Sequence, residues 1–328
     1  MADKLRAPFP WFGGKSRAAD VVWRALGDVT NYVEPFGGSG AVLLARPGGP
    51  GKVETYNDAD GALVNAYRAI AADPDAVARA ADWPVSEVDL HARHMVLVER
   101  VNGLTARLEM DPGYFDAELA GWWIWGACCW IGSGWCSGKG PWKRDAEGLI
   151  TLGNAGQGIH RKLPHLGDAG RGIHRQLPHL GNAGQGIHQW FAAIAERLRR
   201  VRITCGDWRR VTTPSVVERH GASGVLLDPP YPEGWDVDGA YSGQTETADT
   251  TWEQACDAAI DLHERGNLVV LCGYTGLWDP PVGWTARGWT ARKGYAADGG
   301  ARQRREVLWC SPNCVDQQQP SLFGGGEA

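Results

Sequence analysis

Apolar residues along this chain come in short runs bounded by Gly, Pro, Asn and Asp, and their spacing changes character twice. Residues 30–34 read as a strand, followed by a glycine-rich turn and the apolar start of a helix at 41–45. A second strand at 53–57 ends at Asp58, and a helix is predicted over 62–72. Strand, turn, helix, strand is the opening of a doubly wound α/β sheet. The sheet pattern stops near Trp83 and resumes near Val201. Further strands are predicted at 201–205, 224–228, 267–272 and 305–310, with a helix at 252–265.

The intervening stretch has a different texture. Ser86-x-x-Asp89 has the form of a capping box and predicts a helix running to about residue 108. Residues 119–135 are apolar and glycine-rich, which predicts a buried helix and is too short for a membrane span. Trp122, Trp123, Trp125, Trp130 and Trp135 fall there, a packing signal first and a base-stacking signal second. An internal repeat of period 14 follows. LGNAGQGIHRKLPH at 152–165 is echoed by LGDAGRGIHRQLPH at 166–179, and a third copy begins at Leu180 and fades after Gln189. Such copies carry too little apolar content to build a core alone. They predict a flexible or DNA-facing loop whose His, Arg, Asn and Gln side chains contact a groove or phosphates.

Length sharpens the picture: 328 residues suit a core domain plus an insertion. The expected division is 1–84 and 200–312 as the sheet domain, 85–199 as the insertion, and 313–328 as a flexible polar tail. Net charge is −5, yet residues 139–202 hold 11 Lys and Arg against 4 Asp and Glu. A basic segment on an acidic body is a plausible footprint for DNA. The first residues lack an apolar leader, so a cytoplasmic protein with reduced cysteines is expected. Cys128, Cys129 and Cys136 cluster, as do Cys310 and Cys314, but neither group has zinc-ligand spacing, and no metal is predicted.

Three peptides carry candidate chemistry. Asp228-Pro229-Pro230-Tyr231 directly follows an apolar strand, at the sheet edge where open α/β folds bind ligands. The Asp228 carboxylate and the Pro229 carbonyl can accept hydrogen bonds from one amino group, and Tyr231 offers a flat face to a planar base. Alone, the peptide also reads as a Pro-rich turn. Glu34-Pro35-Phe36-Gly37-Gly38-Ser39-Gly40 joins the first strand to the first helix. Glycines there let a ligand approach the backbone, and Asp58 can hold ribose hydroxyls. The GxGxxG register fails at Leu43, so this pair indicates only a nucleoside cofactor. Trp11-Phe12-Gly13-Gly14-Lys15 could bind a carboxylate, and in isolation reads as an exposed turn.

Taken in order, FGGK, EPFGGSG, the Asn57-Asp58 pair and DPPY resemble the Dam-type, D12 class adenine-N6 DNA methyltransferases of bacteria and phages. The resemblance covers about 1–84 and 200–310. It implies a Rossmann-like S-adenosylmethionine-dependent methyltransferase sheet with an inserted, mainly helical target-recognition domain at 85–199. It further implies that Lys15 and Glu34 hold the methionine part of S-adenosylmethionine. Trp11, Phe36, Gly38 and Gly40 would line its loop, Asp58 would take the ribose, and Asp207 would lie near its adenine. Asp228, Pro229 and Tyr231 would act on the N6 amine of a flipped adenine in double-stranded DNA. The insertion lacks the RxNxxGxFNxPxG stretch of GATC-reading members. Gln319-Pro320-Ser321-Leu322-Phe323 resembles the short sliding-clamp-binding peptides of bacterial replication proteins. Cytosine-N4 methylation and a non-catalytic DNA-binding role stand as alternatives.

Overall fold

The computed structural model describes residues 5–11, 15–130, 135, 142–144, 150–152, 186–232, 235, 245–289 and 306–315. The first half comprises α1 (Ala19–Leu26), β1 (Asn31–Glu34), α2 (Ala41–Leu44), β2 (Val53–Asp58), α3 (Gly61–Ala72) and α4 (Pro74–Ala81). There follow α5 (Glu87–Arg100), α6 (Leu104–Met110), α7 (Ala117–Cys129), the hairpin β3 (Trp142–Arg144) and β4 (Ile150–Leu152), and α8 (Ile187–Leu198). The chain then returns through β5 (Val201–Cys205), α9 (Pro214–Val217), β6 (Ser223–Leu227), α10 (Thr245–Glu264), β7 (Leu268–Tyr274), β8 (Thr285–Gly288) and β9 (Glu306–Cys310).

Seven described strands form one sheet in the order β5-β2-β1-β6-β7-β9-β8. The first five are parallel, and β9 runs antiparallel to both β7 and β8. Strand order reverses between β1 and β6, whose register pairs Asn31 with Ser223 and Val33 with Val225. Their carboxyl ends therefore open side by side at the switch point of a doubly wound sheet, where such folds place ligands.

Both faces of the sheet are covered, and side chains divide between them with the period of two that a strand imposes. Val225, Leu227, Val269, Leu271, Val307 and Trp309 point to the face packed by α10. Leu226, Val270, Cys272, Leu308 and Cys310 join the larger core on the other face. That larger core also holds α3, α4, α7 and α8, so helices from the central stretch share it with helices from the first half. Gly121 of α7 sits against α4, where an added Cβ would lie 2.4 Å from the Ala80 Cβ. The glycines of the apolar segment thus permit close helix contact, and burial of α7 follows.

Several boundaries differ from the sequence reading. The helix expected to run from the Ser86 cap to about residue 108 breaks at Gly103, whose φ is 80°. The cap itself forms, with the Asp89 N–H donating to Ser86 Oγ at 3.3 Å. Helix α10 begins earlier than expected, at Thr245. Strand β8 has no counterpart in the sequence pattern because Thr285–Gly288 lies exposed at the sheet edge and has no apolar run. The tail peptide at 319–323, and residues 153–185 with most of the repeat, lie outside the described residues. Among those described, no helix is long and apolar enough to cross a membrane.

Candidate active site

Strand β6 delivers Asp228 to the switch point, one residue beyond its last paired position. The Asp228 carboxylate is partly exposed, at 21%, and Lys15 Nζ stands 2.9 Å from its Oδ1. The Tyr231 hydroxyl donates to the same oxygen at 3.3 Å. Lys15 comes from the segment leading into α1 and is itself only 5% exposed. Its ammonium lies 5.6 Å from the centre of the Tyr231 ring. Burial, and then the charge of Asp228, push the thiol of Cys272, across on β7, well above its ordinary pKa.

Tyr231 does not present an open face. It is buried, and its ring packs edge-on against Tyr274 with centroids 4.8 Å apart and against Trp252 at 6.1 Å. Proline at 229 is buried beside it and fixes the turn.

Glu34 ends β1, next to Asp228, and is buried. Burial pushes its carboxyl up to about 8, and the nearby Asp228 charge adds to the shift. Tyr32 partly offsets this by donating its hydroxyl to Glu34 Oε2 at 3.2 Å. Asp58 ends β2 and shapes the glycine loop. Its Oδ2 accepts from the Gly38 N–H at 2.8 Å and its Oδ1 from the Asp60 N–H at 2.9 Å. Burial raises the Asp58 carboxyl to about 6.

The glycines of that loop are required by packing. A Cβ on Gly37 would come within 2.1 Å of the Tyr56 ring, and one on Gly38 within 2.8 Å of Trp11 Nε1. Gly38 and Gly40 have φ of 49° and 57°, which disfavours other residues. The loop backbone is thus pressed onto aromatic side chains. The Tyr56 hydroxyl donates to the Gly38 carbonyl at 2.7 Å, and the Tyr67 hydroxyl donates to the Ser39 carbonyl.

Phe36 leaves this loop and packs on Trp208, ring centroids 5.2 Å apart. Asp207, at the end of β5, is exposed at the same sheet edge and is held by Arg209, which keeps its carboxyl below the usual range. The structure therefore brings Lys15, Glu34, Asp228 and Tyr231 together. It gathers Trp11, Phe36, Gly38, Gly40 and Asp58 around the adjacent loop and leaves Asp207 paired at its outer side. Sequence reasoning missed Tyr56, Tyr67, Trp208 and Cys272. Cys272 sits inside an apolar run and the two tyrosines inside a predicted strand and helix, whereas Trp208 directly follows Asp207 and could have been flagged.

A doubly wound sheet with one antiparallel strand near its edge is compatible with a Rossmann-like methyltransferase. Residues 11–87 match the family model of the D12 class N6 adenine-specific DNA methyltransferases. That match supports an enzyme, a DNA adenine-N6 methyltransferase, which acts on DNA and draws on a methyl donor. Comparison with curated proteins finds no match.

Proposed function

We propose that this chain transfers the methyl group of S-adenosylmethionine to N6 of an adenine flipped out of duplex DNA, at the site built on Asp228. The observation that carries the reading is the meeting of Asp228, Lys15 and buried Glu34 at the switch point between β1 and β6. The donor set fits this cofactor. Glu34, Asp58 and Asp228 close three neighbouring strands at this sheet edge, and a cluster of acids suits a donor with a sulfonium and an ammonium group. Glu34 would take the ammonium, Asp58 the ribose, and Phe36 with Trp208 the side of the adenine. Trp11, Gly38 and Gly40 form the wall of the loop.

The N6 lone pair of adenine is delocalised into the ring, so the amine is a weak nucleophile. Asp228 and the Pro229 carbonyl accept its two hydrogens and favour a pyramidal nitrogen with a localised lone pair. Tyr231 borders the base once the base enters, and extrusion costs a few kcal/mol. When bound, S-adenosylmethionine supplies the methyl, so that the N–C bond forms as the C–S bond breaks with its electron pair left on sulfur. N6 then gives up its surplus proton to water. Positioning and charge provide the acceleration. The central stretch, with its repeat, would read the target sequence, and the tail at 319–323 would dock on a sliding clamp.

The test is Asp228→Ala. Methyl transfer to duplex DNA is expected to vanish while calorimetric binding of S-adenosylmethionine stays largely intact. Mass spectrometry of hydrolysed DNA should show N6-methyladenine from the wild type. N4-methylcytosine in its place would transfer the same chemistry to the other base.

A further inference from the structure

The contacts of Lys15 assign it a part in the reaction other than holding the methyl donor. We propose that Lys15 is a positioning residue for methyl transfer: its ammonium fixes the rotamer and the charge of Asp228, so that the carboxylate is ready to grip the adenine amine. This deepens the function proposed above and rests on it.

The groups around the pair of Lys15 and Asp228 come from several elements. Glu34 arrives on β1, Cys272 on β7, Glu306 on β9 and Tyr231 on the loop that follows β6. Each is an acid or a weak acid. Lys15 is the cation they share. Its burial disfavours the charged ammonium, yet Asp228, and after it Tyr231, Cys272 and Glu306, hold its pKa well above the ordinary value. A partly buried carboxylate beside other acids is held in its charged form less well when such a partner is removed. Without Lys15, the charge and the orientation of Asp228 beside Glu34 would lose the ammonium that holds them.

Geometry makes the same point. Lys15 and Tyr231 both engage Oδ1 of Asp228, at 2.9 and 3.3 Å. Their shared grip sets the plane of the carboxylate and assigns Oδ2 to the amine. An ammonium that is only 5% exposed and already paired with Asp228 offers little free surface to the carboxylate of a donor.

Lys15→Met keeps the length of the side chain and removes its charge, and Lys15→Arg restores a charge. Single-turnover methylation of duplex DNA at saturating S-adenosylmethionine is followed across pH 5.5–9 (about the range a carboxylate and lysine pair tolerates), beside calorimetric binding of the donor. For Lys15→Met the rate should fall about 100-fold, the acid limb should move to higher pH, and donor affinity should change by less than about threefold. Lys15→Arg should recover part of the rate and return the acid limb toward the wild type. A collapse of donor affinity with the saturated rate preserved would overturn the proposal, as would a slower rate with an unmoved pH profile. Thermal melts of Lys15→Met, Asp228→Asn and the double variant give a readout independent of turnover. The double variant should melt above Lys15→Met alone, and strict additivity would refute the pairing. A wild type that methylates no adenine would sink the proposed function, while these melts would still report on the pair.

Discussion

At the scale of single residues, Glu34 carries the clearest consequence. Its carboxyl is pushed up to about 8 by burial and then by Asp228. A carboxyl raised above its unfolded value adds stability that is fully present near pH 4.5 and lost as pH rises through about 8. Glu34→Gln should therefore melt higher than the wild type at pH 9, by about 2–4 °C, and match it near pH 5. The donor's cation should drive ionisation of Glu34 when it binds at pH 7. The calorimetric enthalpy of donor binding should then vary with the ionisation heat of the buffer, and Glu34→Gln should remove that dependence. An unchanged melting profile for the variant would show that Glu34 is ionised in the fold. The sequence exposed Glu34, Asp58 and Asp228 because each is an acid closing a predicted strand. It could not expose the partner of Lys15, since the segment before α1 and the end of β6 meet only in the fold.

At the scale of elements, packing decided what hydropathy alone left open. Strands β6 and β7 were legible because each carries an unbroken apolar run, and buried parallel strands read that way, whereas the shorter apolar content of β1 and β2 was marked by the glycine turn and the Asp58 that follow them. Helix α7 was legible as buried, but its neighbours were not. Its ends draw Trp130 and Trp135 against His94 of α5, with ring centroids 5.4 and 4.7 Å from the imidazole. His94 is fully buried, and neither ring nitrogen has a hydrogen-bond partner among the described residues. Burial lowers its pKa to about 4. The unfolded chain then binds a proton that the fold refuses, so stability declines as pH falls from about 6.5 toward 4. His94→Phe keeps the stacked ring and deletes both bare nitrogens. It should raise stability at pH 7 by about 1 kcal/mol and flatten the decline between pH 6.5 and 4.5, as urea titrations at both pH values would show. A variant that remains as acid-sensitive as the wild type would point to another group.

At the scale of the whole molecule, charge reads differently once the chain is folded. Sequence counting treats residues 139–202 as one basic block, yet Arg197 is a buried structural residue. Its guanidinium reaches Glu54 Oε2 at 2.5 Å and the Leu43 carbonyl at 2.6 Å, while Arg46 binds the other oxygen of Glu54 at 3.1 Å. Glu54, fully buried on β2, thereby ties α8 to the residues that follow α2. Arg199 pairs with Glu196 on the surface. Arg199, Arg200 and Arg202 sit where α8 turns into β5, and β5 runs parallel to β6 through β2 and β1. They therefore lie at the amino end of the sheet, opposite the edge that holds Asp228. Composition could not show this, because which end of a strand faces the substrate is fixed only by topology. DNA bound at Asp228 should leave these three arginines untouched. Reversing their charge together to Glu should leave the slope of log affinity against log salt unchanged for duplex DNA. Reversing Lys143, Arg144 and Arg161 should flatten that slope by about 0.9 for each phosphate that is no longer neutralised. A triple reversal at 199, 200 and 202 that weakened binding as strongly as the second set would place DNA against the wrong end of the sheet and break its connection with the Asp228 site.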